Sequence, residues 1–447
     1  MISTRAELIT YPAPPEAIVN NDFSVRVRLE NGEWQEQFPY LVPVDMLNVR
    51  EASMVTYDFE GVVEVEVTKR DGIFENVDLR PNSYNIPFHQ IGNTVTFKVD
   101  RPRKLSFEAN GERFHNLHLF ANPPETNVLD LEDPRTICVK PGNHRTEDLI
   151  ARLTSSSNGK EALSEVLYFG PGMHYIEEII FGQGSISRRR CYGSGLNGMR
   201  SCRRCHDQRT WNYLFNEYRE DNLFALRTNR FLSQHYGGGH HFSGSPSLQH
   251  SSWKSEHIHI SNFKTFSTRG WSDGIDMMSC SYVDIDDVFL RTSDDCIAIY
   301  GSRGKFYGES TNISVTNSVL WADVAHPIMI GVHGDHEHNG DIIENIVFDN
   351  IDILEHHEPQ DDWGCMAINA ADKNIVRNVT YRNFRVKQFE LGRLIDIRVF
   401  QNPKYNPSPG NRVENIRFEN IEFNGVCDNP SFIEGFDGER IVEGGHD

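Results

Sequence analysis

Two neighbouring aspartates in the segment RTSDDCIAIYG are the residues whose types and spacing most directly suggest chemistry. Asp294 and Asp295 stand side by side, and the apolar alternation that follows is typical of a half-buried strand. Adjacent like charges repel, and a strand sends neighbouring side chains to opposite faces. A corner at the end of a strand can instead direct both carboxylates into one outer groove. The pair therefore indicates a site that uses two carboxylates together.

Further carboxylates precede the pair in the segment SDGID, which contains Asp273 and Asp276. Inverting hydrolysis of a glycosidic bond needs a protonated acid on the bond's oxygen and a carboxylate that activates water, about 6.5–9.5 Å apart. Crowded like charges raise one pKa and keep that carboxyl protonated near neutral pH. Asp273, Asp294 and Asp295 are therefore predicted to form an acid–base site. Asp276 is the rival of Asp273, or else a corner residue that stabilises the turn.

A repeat in the second half of the chain predicts the elements that position these residues. Six segments share two inward apolar residues followed by Asn or Asp, and their second positions are 258, 283, 313, 346, 379 and 416. Stacked strands lie about 4.8 Å apart. The pattern predicts a parallel β-helix over residues 124–447, whose coils place Asp273 beneath the aspartate pair. The corner residues, which tolerate left-handed backbone, are Asn262, Asn317, Asn350, Asn383 and Asn420.

Residues 1–123 are predicted to form a separate β-sandwich, so the whole chain is assigned to the all-β class. Strict alternation predicts strands at Phe23–Leu29, Val62–Val67, Thr94–Val99 and Lys104–Ala109, and Asn31-Gly32 and Asn110-Gly111 are typical hairpin turns. Residues 185–250 are anomalous because the repeat vanishes there and arginine replaces lysine. We interpret that segment as either a large insertion or a frame-shifted translation of ordinary coils.

Five segments, two of which overlap, carry a resemblance to known enzymes. SDGID, TSDDCIAIYG and AHPIMIG resemble the N-T-D, D-D and G-H-G series of glycoside hydrolase family 28, the polygalacturonase family. HNLHLFANP and VLWADVAHPIMIGV are more similar to family 49, the dextranase and isopullulanase group. The resemblance implies a right-handed β-helix and an inverting mechanism without a cofactor or metal. It makes Asp294 the general acid, gives Asp273 and Asp295 the water, and lets His326 support the acid or contact substrate.

The substrate expectation comes from a departure from family 28. The R-I-K motif that binds the galacturonate carboxylate there is replaced by DDWGCMAIN, residues 361–369, which has no basic residue. With a formal net charge of −20, this favours a neutral, dextran-like α-linked glycan over polygalacturonate. Asp276, His326 and Trp363 are the candidate substrate-binding residues. The HGDHEHNGD segment has metal-ligand residue types, but its clustering is typical of an exposed loop.

Other readings of the sequence remain open. They are a polygalacturonase-type pectin hydrolase, a polysaccharide lyase, and a glycan-binding β-helix without catalysis. The negative charge disfavours nucleic acid as a partner, and no apolar run reaches the ~18 residues of a membrane span. The start lacks a secretory signal pattern, which predicts either a cytoplasmic protein or a mature secreted form. The pattern does not predict an oligomeric state.

Overall fold

We describe the protein from a computed structural model. Its description covers residues 6–15, 17–124, 131–133, 136–145, 148, 166–170, 172, 174–176, 190–193, 213–215, 222–226, 251–253, 256–268, 270–304, 306–357, 364–387, 389, 392–427 and 429–443. Trp363 and nearly all of the anomalous segment 185–250 lie outside these residues. Within them, no helix has the length and apolar character needed to cross a membrane.

The N-terminal region consists of two β-sheets that enclose an apolar core. Sheet A has the order β1-β5-β11-β10-β7 with β4 beside β5, and sheet B has the order β3-β2-β6-β9-β8. Alternating Val and Phe side chains of both sheets fill the core between them. The strands are β1 Glu7–Ile9, β2 Phe23–Leu29, β3 Gln35–Gln37, β4 Tyr40–Val44, β5 Arg50–Glu60, β6 Val63–Lys69, β7 Val77–Arg80, β8 Phe88–Ile91, β9 Thr94–Val99, β10 Arg103–Ala109 and β11 Glu112–Asn122, with a 3₁₀ turn at Asn82–Tyr84.

Most of the remaining strands pair in parallel as the coils of a β-helix, whereas β17 and β18 join its long sheet antiparallel, and β12-β14-β16 and β13-β15 form two small parallel sheets. Sheet C contains β17, β18, β20, β21, β23, β24, β26, β28, β30, β32 and β34, and sheet D has the order β19-β22-β25-β27-β29-β31-β33. Their bounds are β12 Thr136–Val139, β13 Gly142–His144, β14 Val166–Phe169, β15 His174–Ile176, β16 Arg190–Gly193, β17 Tyr213–Phe215, β18 Asn222–Leu226, β19 Ser251–Trp253, β20 Glu256–Ser261, β21 Lys264–Ser267, β22 Ile275–Met278, β23 Ser281–Asp286, β24 Phe289–Thr292, β25 Ile297–Tyr300, β26 Ser310–Ala322, β27 Ile328–Ile330, β28 Ile342–His356, β29 Gly364–Ala370, β30 Ile375–Lys387, β31 Arg393–Val399, β32 Arg412–Asn424, β33 Phe432–Glu434 and β34 Val442–Glu443.

The predicted coil register is confirmed. The second positions of the six repeat segments pair directly from coil to coil: Ile258, Val283, Ile313, Ile346, Val379 and Ile416. Most of these side chains are buried in one continuous apolar core. A shift by one residue would send the whole set outward, so the repeat fixes how the coils stack.

The predicted corner conformation is confirmed as well. All five corner asparagines have left-handed backbone, with φ between 52° and 61°: Asn262, Asn317, Asn350, Asn383 and Asn420. Neighbouring corners are also linked through their amides, as between Asn350 and Asn317 at 2.7 Å and between Asn420 and Asn383 at 2.8 Å. Asparagine therefore both turns the chain and ties one coil to the next.

Sheet A packs on sheet C of the helix. A shared apolar cluster joins residues of β4, β5 and β11 to Phe266, Phe289 and Trp321 of the helix. At its centre the fully buried Arg291 pairs with Asp323 at 2.9 Å and donates to Asn116 of β11 at 3.0 Å. Arg291 lies three residues before Asp294, so this contact ties the N-terminal sheets to the corner that contains the aspartate pair.

Candidate active site

The site lies at the corner where each coil passes from sheet C to sheet D. The corner segments follow β21, β24 and β26 and contain Asp273, the Asp294–Asp295 pair and His326 respectively. Gly274 lets two of these corners stack closely, because its N–H donates to the Asp295 carbonyl at 2.7 Å. A Cβ at position 274 would lie 2.4 Å from the Cys296 carbonyl oxygen. The glycine of SDGID is thus required by the approach of the chain one coil above.

The structure brings Asp273, Asp294 and Asp295 together. One carboxylate oxygen from each lies within 4.8 Å of the others. Asp273 and Asp295 are almost fully buried and Asp294 is half-buried. Asp294 accepts hydrogen bonds from the Trp271 N–H at 2.9 Å and the Asp295 N–H at 3.0 Å. The predicted break of strand alternation therefore occurs, with the adjacent carboxylates at one site.

His326 contacts Asp295 rather than the predicted acid. Its Nδ1 lies 2.6 Å from Asp295 Oδ1, and its backbone N–H donates to the same oxygen at 3.1 Å. The Tyr300 hydroxyl donates to the other oxygen, Oδ2, at 3.1 Å. Three donors thus fix the direction in which Asp295 presents its remaining lone pairs, as a carboxylate that positions water requires.

Burial raises the pKa of Asp294 well above its usual range, and the charges of Asp273 and Asp295 raise it further. The two backbone N–H groups on Asp294 oppose this shift without reversing it. Asp294 is therefore the carboxyl of the pair that we expect to stay protonated as the pH rises, which is the state that a general acid needs.

Asp276 occupies an internal position that differs from the expected contact with substrate. Its side chain is fully buried, and neither carboxylate oxygen has a hydrogen-bond partner. Burial raises its pKa well above the usual range, Asp273 raises it further, and Arg303 opposes the shift. The raised pKa favours the protonated form of this buried carboxyl, in which it adds no negative charge to that of the three site aspartates.

A cation lies near the acidic cluster, although none occurs in residues 361–369. Arg303 follows β25, and its guanidinium lies 5.4 Å from the centre of the Tyr300 ring. Its charge also acts on the pKa of Asp276 and of the buried His333. The place where family 28 has its R-I-K motif falls on β29. There, Ala367 and Asn369 alternate with side chains of the helix core. Sequence comparison by motif missed Arg303 because it comes from a neighbouring coil.

The N-terminal region reaches the site through the loop after β4. The Met46 N–H donates to the Ser293 hydroxyl at 3.1 Å, directly beside Asp294. A Cβ at Gly270 would lie 3.6 Å from the Met46 Sδ-bound methyl carbon. Leu47, next along this loop, is 63% exposed. The β-sandwich is therefore one wall of the site, a role that strand patterns in the sequence do not reveal.

Trp271 is a further site residue that the motif analysis missed. It occupies the place of the family 28 asparagine in N-T-D, has a left-handed φ of 62°, and leaves 55% of its surface exposed. Large exposed aromatic side chains beside a cleft are informative, because tryptophan is highly buried on average. The sequence did contain a signal for Trp271, namely a tryptophan at the motif position where family 28 has asparagine.

The same three aspartates are the described residues whose geometry could ligate a metal ion. Three carboxylate oxygens suit a hard divalent cation such as Ca²⁺ or Mg²⁺. Clustered acidic groups also serve acid–base chemistry without a metal, so chelator sensitivity separates the two uses.

Parts of the chain are similar to known proteins. Residues 245–431 match the family described as glycosyl hydrolases family 28. The Aspergillus niger protein named exopolygalacturonase B is 27% identical over 179 residues, which are 38% of this chain and 37% of that protein. A Fusarium fujikuroi polygalacturonase is 25% identical over 150 residues, 33% of this chain and 36% of that protein. The solved structure of Dex49A from Penicillium minioluteum is 12% identical, with a TM-score of 0.44 and coverage of 97% and 96%.

The match contains all of Asp273, Asp294, Asp295 and His326. It confirms the predicted resemblance to glycoside hydrolase family 28 over this part of the chain. The alignments span little more than a third of the length of the curated relatives. The substrate and mechanism of this chain are therefore taken up as proposals.

Proposed function

We propose that the protein is an inverting glycoside hydrolase that cleaves an α-linked, galacturonate-containing polysaccharide. The observation that carries the proposal is the set of three carboxylates within 4.8 Å, one of which has a strongly raised pKa. Asp294 protonates the oxygen of the scissile bond. Asp273 and Asp295 hold a water molecule and accept its proton as it attacks the anomeric carbon.

The orientation of Asp295 supports this division of roles. His326 and Tyr300 hold its two oxygens at 2.6 and 3.1 Å, so the orientation of the carboxylate is fixed. The carboxylates lie closer together than the ~6.5–9.5 Å usual for inverting enzymes. The shorter distance is compatible with inversion if Asp273 and Asp295 bind the water from two sides, and the anomeric form of the first product tests it directly.

Two observations favour a uronate over a neutral glycan. The curated relatives are named polygalacturonases, and Arg303 supplies a positive charge beside the acidic cluster. One observation argues against a uronate. Residues 361–369, which include Ala367 and Asn369, contain no cationic side chain. A dextran-like substrate is therefore the second candidate, and the substrate panel includes it.

The experiment compares wild type, Asp294→Asn and a control, Asp284→Asn, whose aspartate lies on sheet C with 53% of its side chain exposed. Each is incubated with polygalacturonate, dextran and pullulan, with and without chelator, and reducing ends are counted. We expect release from polygalacturonate with wild type and the control, and a loss of about 10²–10⁴-fold with Asp294→Asn. NMR of the first product should show the inverted anomer.

Four results would contradict the proposal. Release from dextran or pullulan alone would overturn the galacturonate assignment. Retention of configuration would overturn the mechanism. Ultraviolet absorbance from an unsaturated product, abolished by chelator, would indicate elimination by a lyase, and activity in Asp294→Asn equal to wild type would remove Asp294 from the chemistry.

A further inference from the structure

An aromatic pair stands at the rim of the carboxylate site. The rings of Trp271 and Tyr405 meet edge to face, with centroids 6.3 Å apart and an interplanar angle of 79°. Tyr405 follows β31, whereas Trp271 precedes β22, and these strands are four steps apart in sheet D. At about 4.8 Å per step, the loop with Tyr405 must reach back along the sheet by almost 20 Å to make this contact.

Trp271 is tied directly to the reacting groups. Its backbone N–H donates to Asp294 Oδ2 at 2.9 Å, and Asp273 is two residues further along the chain. A left-handed φ of 62° is unfavourable for a bulky side chain by roughly 1–2 kcal/mol. The surrounding contacts therefore hold an unfavourable conformation that presents a half-exposed indole next to the predicted acid.

The loop that carries Tyr405 is braced. The neighbouring Asn406 is 1% exposed and donates to the Val332 carbonyl and to Asp372 Oδ2, the latter at 3.2 Å. Gly410 packs so tightly that a Cβ there would lie 2.0 Å from the Ala370 carbonyl oxygen. The ring of Tyr405 is thus held in place above the sheet.

Lys404 adds a positive charge to this pair. Its Nζ lies 4.5 Å from the centre of the Tyr405 ring, and the side chain is exposed. An aromatic face attracts the slightly positive C–H face of a pyranose, and an ammonium donates to a hydroxyl or a carboxylate. A ring face with a neighbouring cation is the combination that a uronic acid residue would require.

We propose that Trp271, Tyr405 and Lys404 form a sugar subsite next to the scissile bond, in which the indole stacks on a uronate ring and Lys404 binds its carboxylate. The proposal rests on the proposed function for the identity of the sugar. The aromatic stacking itself is independent of the charge on the sugar.

Binding is measured by calorimetry in an Asp273→Asn background, which removes turnover while leaving Asp294 to hold Trp271. The ligands are trigalacturonate, the same trisaccharide with its carboxylates reduced to alcohols, and isomaltotriose. Trp271→Asn removes the ring with a residue that tolerates left-handed backbone, Tyr405→Leu removes its partner, and Lys404→Gln removes the charge. The control is Tyr282→Leu, because Tyr282 is 54% exposed on sheet C and thus matches Trp271 in exposure.

We expect Trp271→Asn and Tyr405→Leu to weaken binding of trigalacturonate about tenfold or more, as for a central aromatic contact. Lys404→Gln should weaken trigalacturonate binding but not binding of the reduced trisaccharide, and Tyr282→Leu should change neither. Unchanged binding in Trp271→Asn and Tyr405→Leu would overturn the subsite. If the parent binds isomaltotriose alone, the uronate assignment fails. The effect of Trp271→Asn on the binding of isomaltotriose then tests the stacking. If the parent binds none of the three sugars, the subsite is refuted.

Discussion

The burial of Asp276 predicts an unusual dependence of stability on pH. Its pKa is raised in the folded state, whereas the pKa of an aspartate in an unfolded chain is about 3.9. Between these two pKa values the folded protein binds one proton more than the unfolded chain. The free energy of unfolding therefore falls by about 1.36 kcal/mol per pH unit from this group. The contribution is complete below the unfolded pKa and is lost as the pH rises through the folded pKa.

Asp276→Asn removes this dependence, because the amide has a similar shape and does not ionise. Other carboxyls with a raised pKa, among them Asp294 and Glu108, have the same sign, so the wild type has one such slope more than the variant. Between the unfolded and the folded pKa of Asp276, the free energy of unfolding of the variant therefore rises with pH relative to that of wild type.

The assay is urea unfolding followed by fluorescence at pH 5, 6 and 7, for wild type, Asp276→Asn and Asp71→Asn. Asp71 is exposed and serves as the control for loss of one negative charge. We expect the stability of Asp276→Asn relative to wild type to grow with pH, and that of Asp71→Asn to stay constant. Parallel curves for wild type and Asp276→Asn would refute the reasoning, since Asp276 would then ionise alike in both states.

Two further predictions concern the residues around the aspartates. His326→Phe should lower kcat about 10²-fold with a smaller effect on KM, because Asp295 loses the contact that orients it. The acidic limb of the pH–rate profile should also change. An unchanged profile would argue that His326 has a packing role alone. Arg291→Met should destabilise the protein by about 3–5 kcal/mol in urea unfolding, because Asp323 is left buried without its partner. Arg291→Met with Asp323→Asn should recover part of that loss, and no recovery would contradict the pairing argument.

The sequence by itself determined the coil architecture. The period of the repeat, with apolar residues at 258, 283, 313 and their equivalents, fixes which strands stack, because a one-residue shift would expose the core. Asparagine at each corner specifies the left-handed turn through its own backbone preference. These are local properties of a chain whose coils contact only their neighbours. The three aspartates could therefore be placed together from their spacing alone.

Only the tertiary structure decided how those carboxylates differ from one another. Asp276 and Asp294 have raised pKa values because of their burial, which the alternation of residues does not reveal. His326 lies in the corner one coil away from Asp295 and contacts its carboxylate. Tyr405 reaches Trp271 from a loop more than a hundred residues later in the chain. Such contacts depend on the paths of loops and on dielectric surroundings, for which the repeat carries no periodic signal.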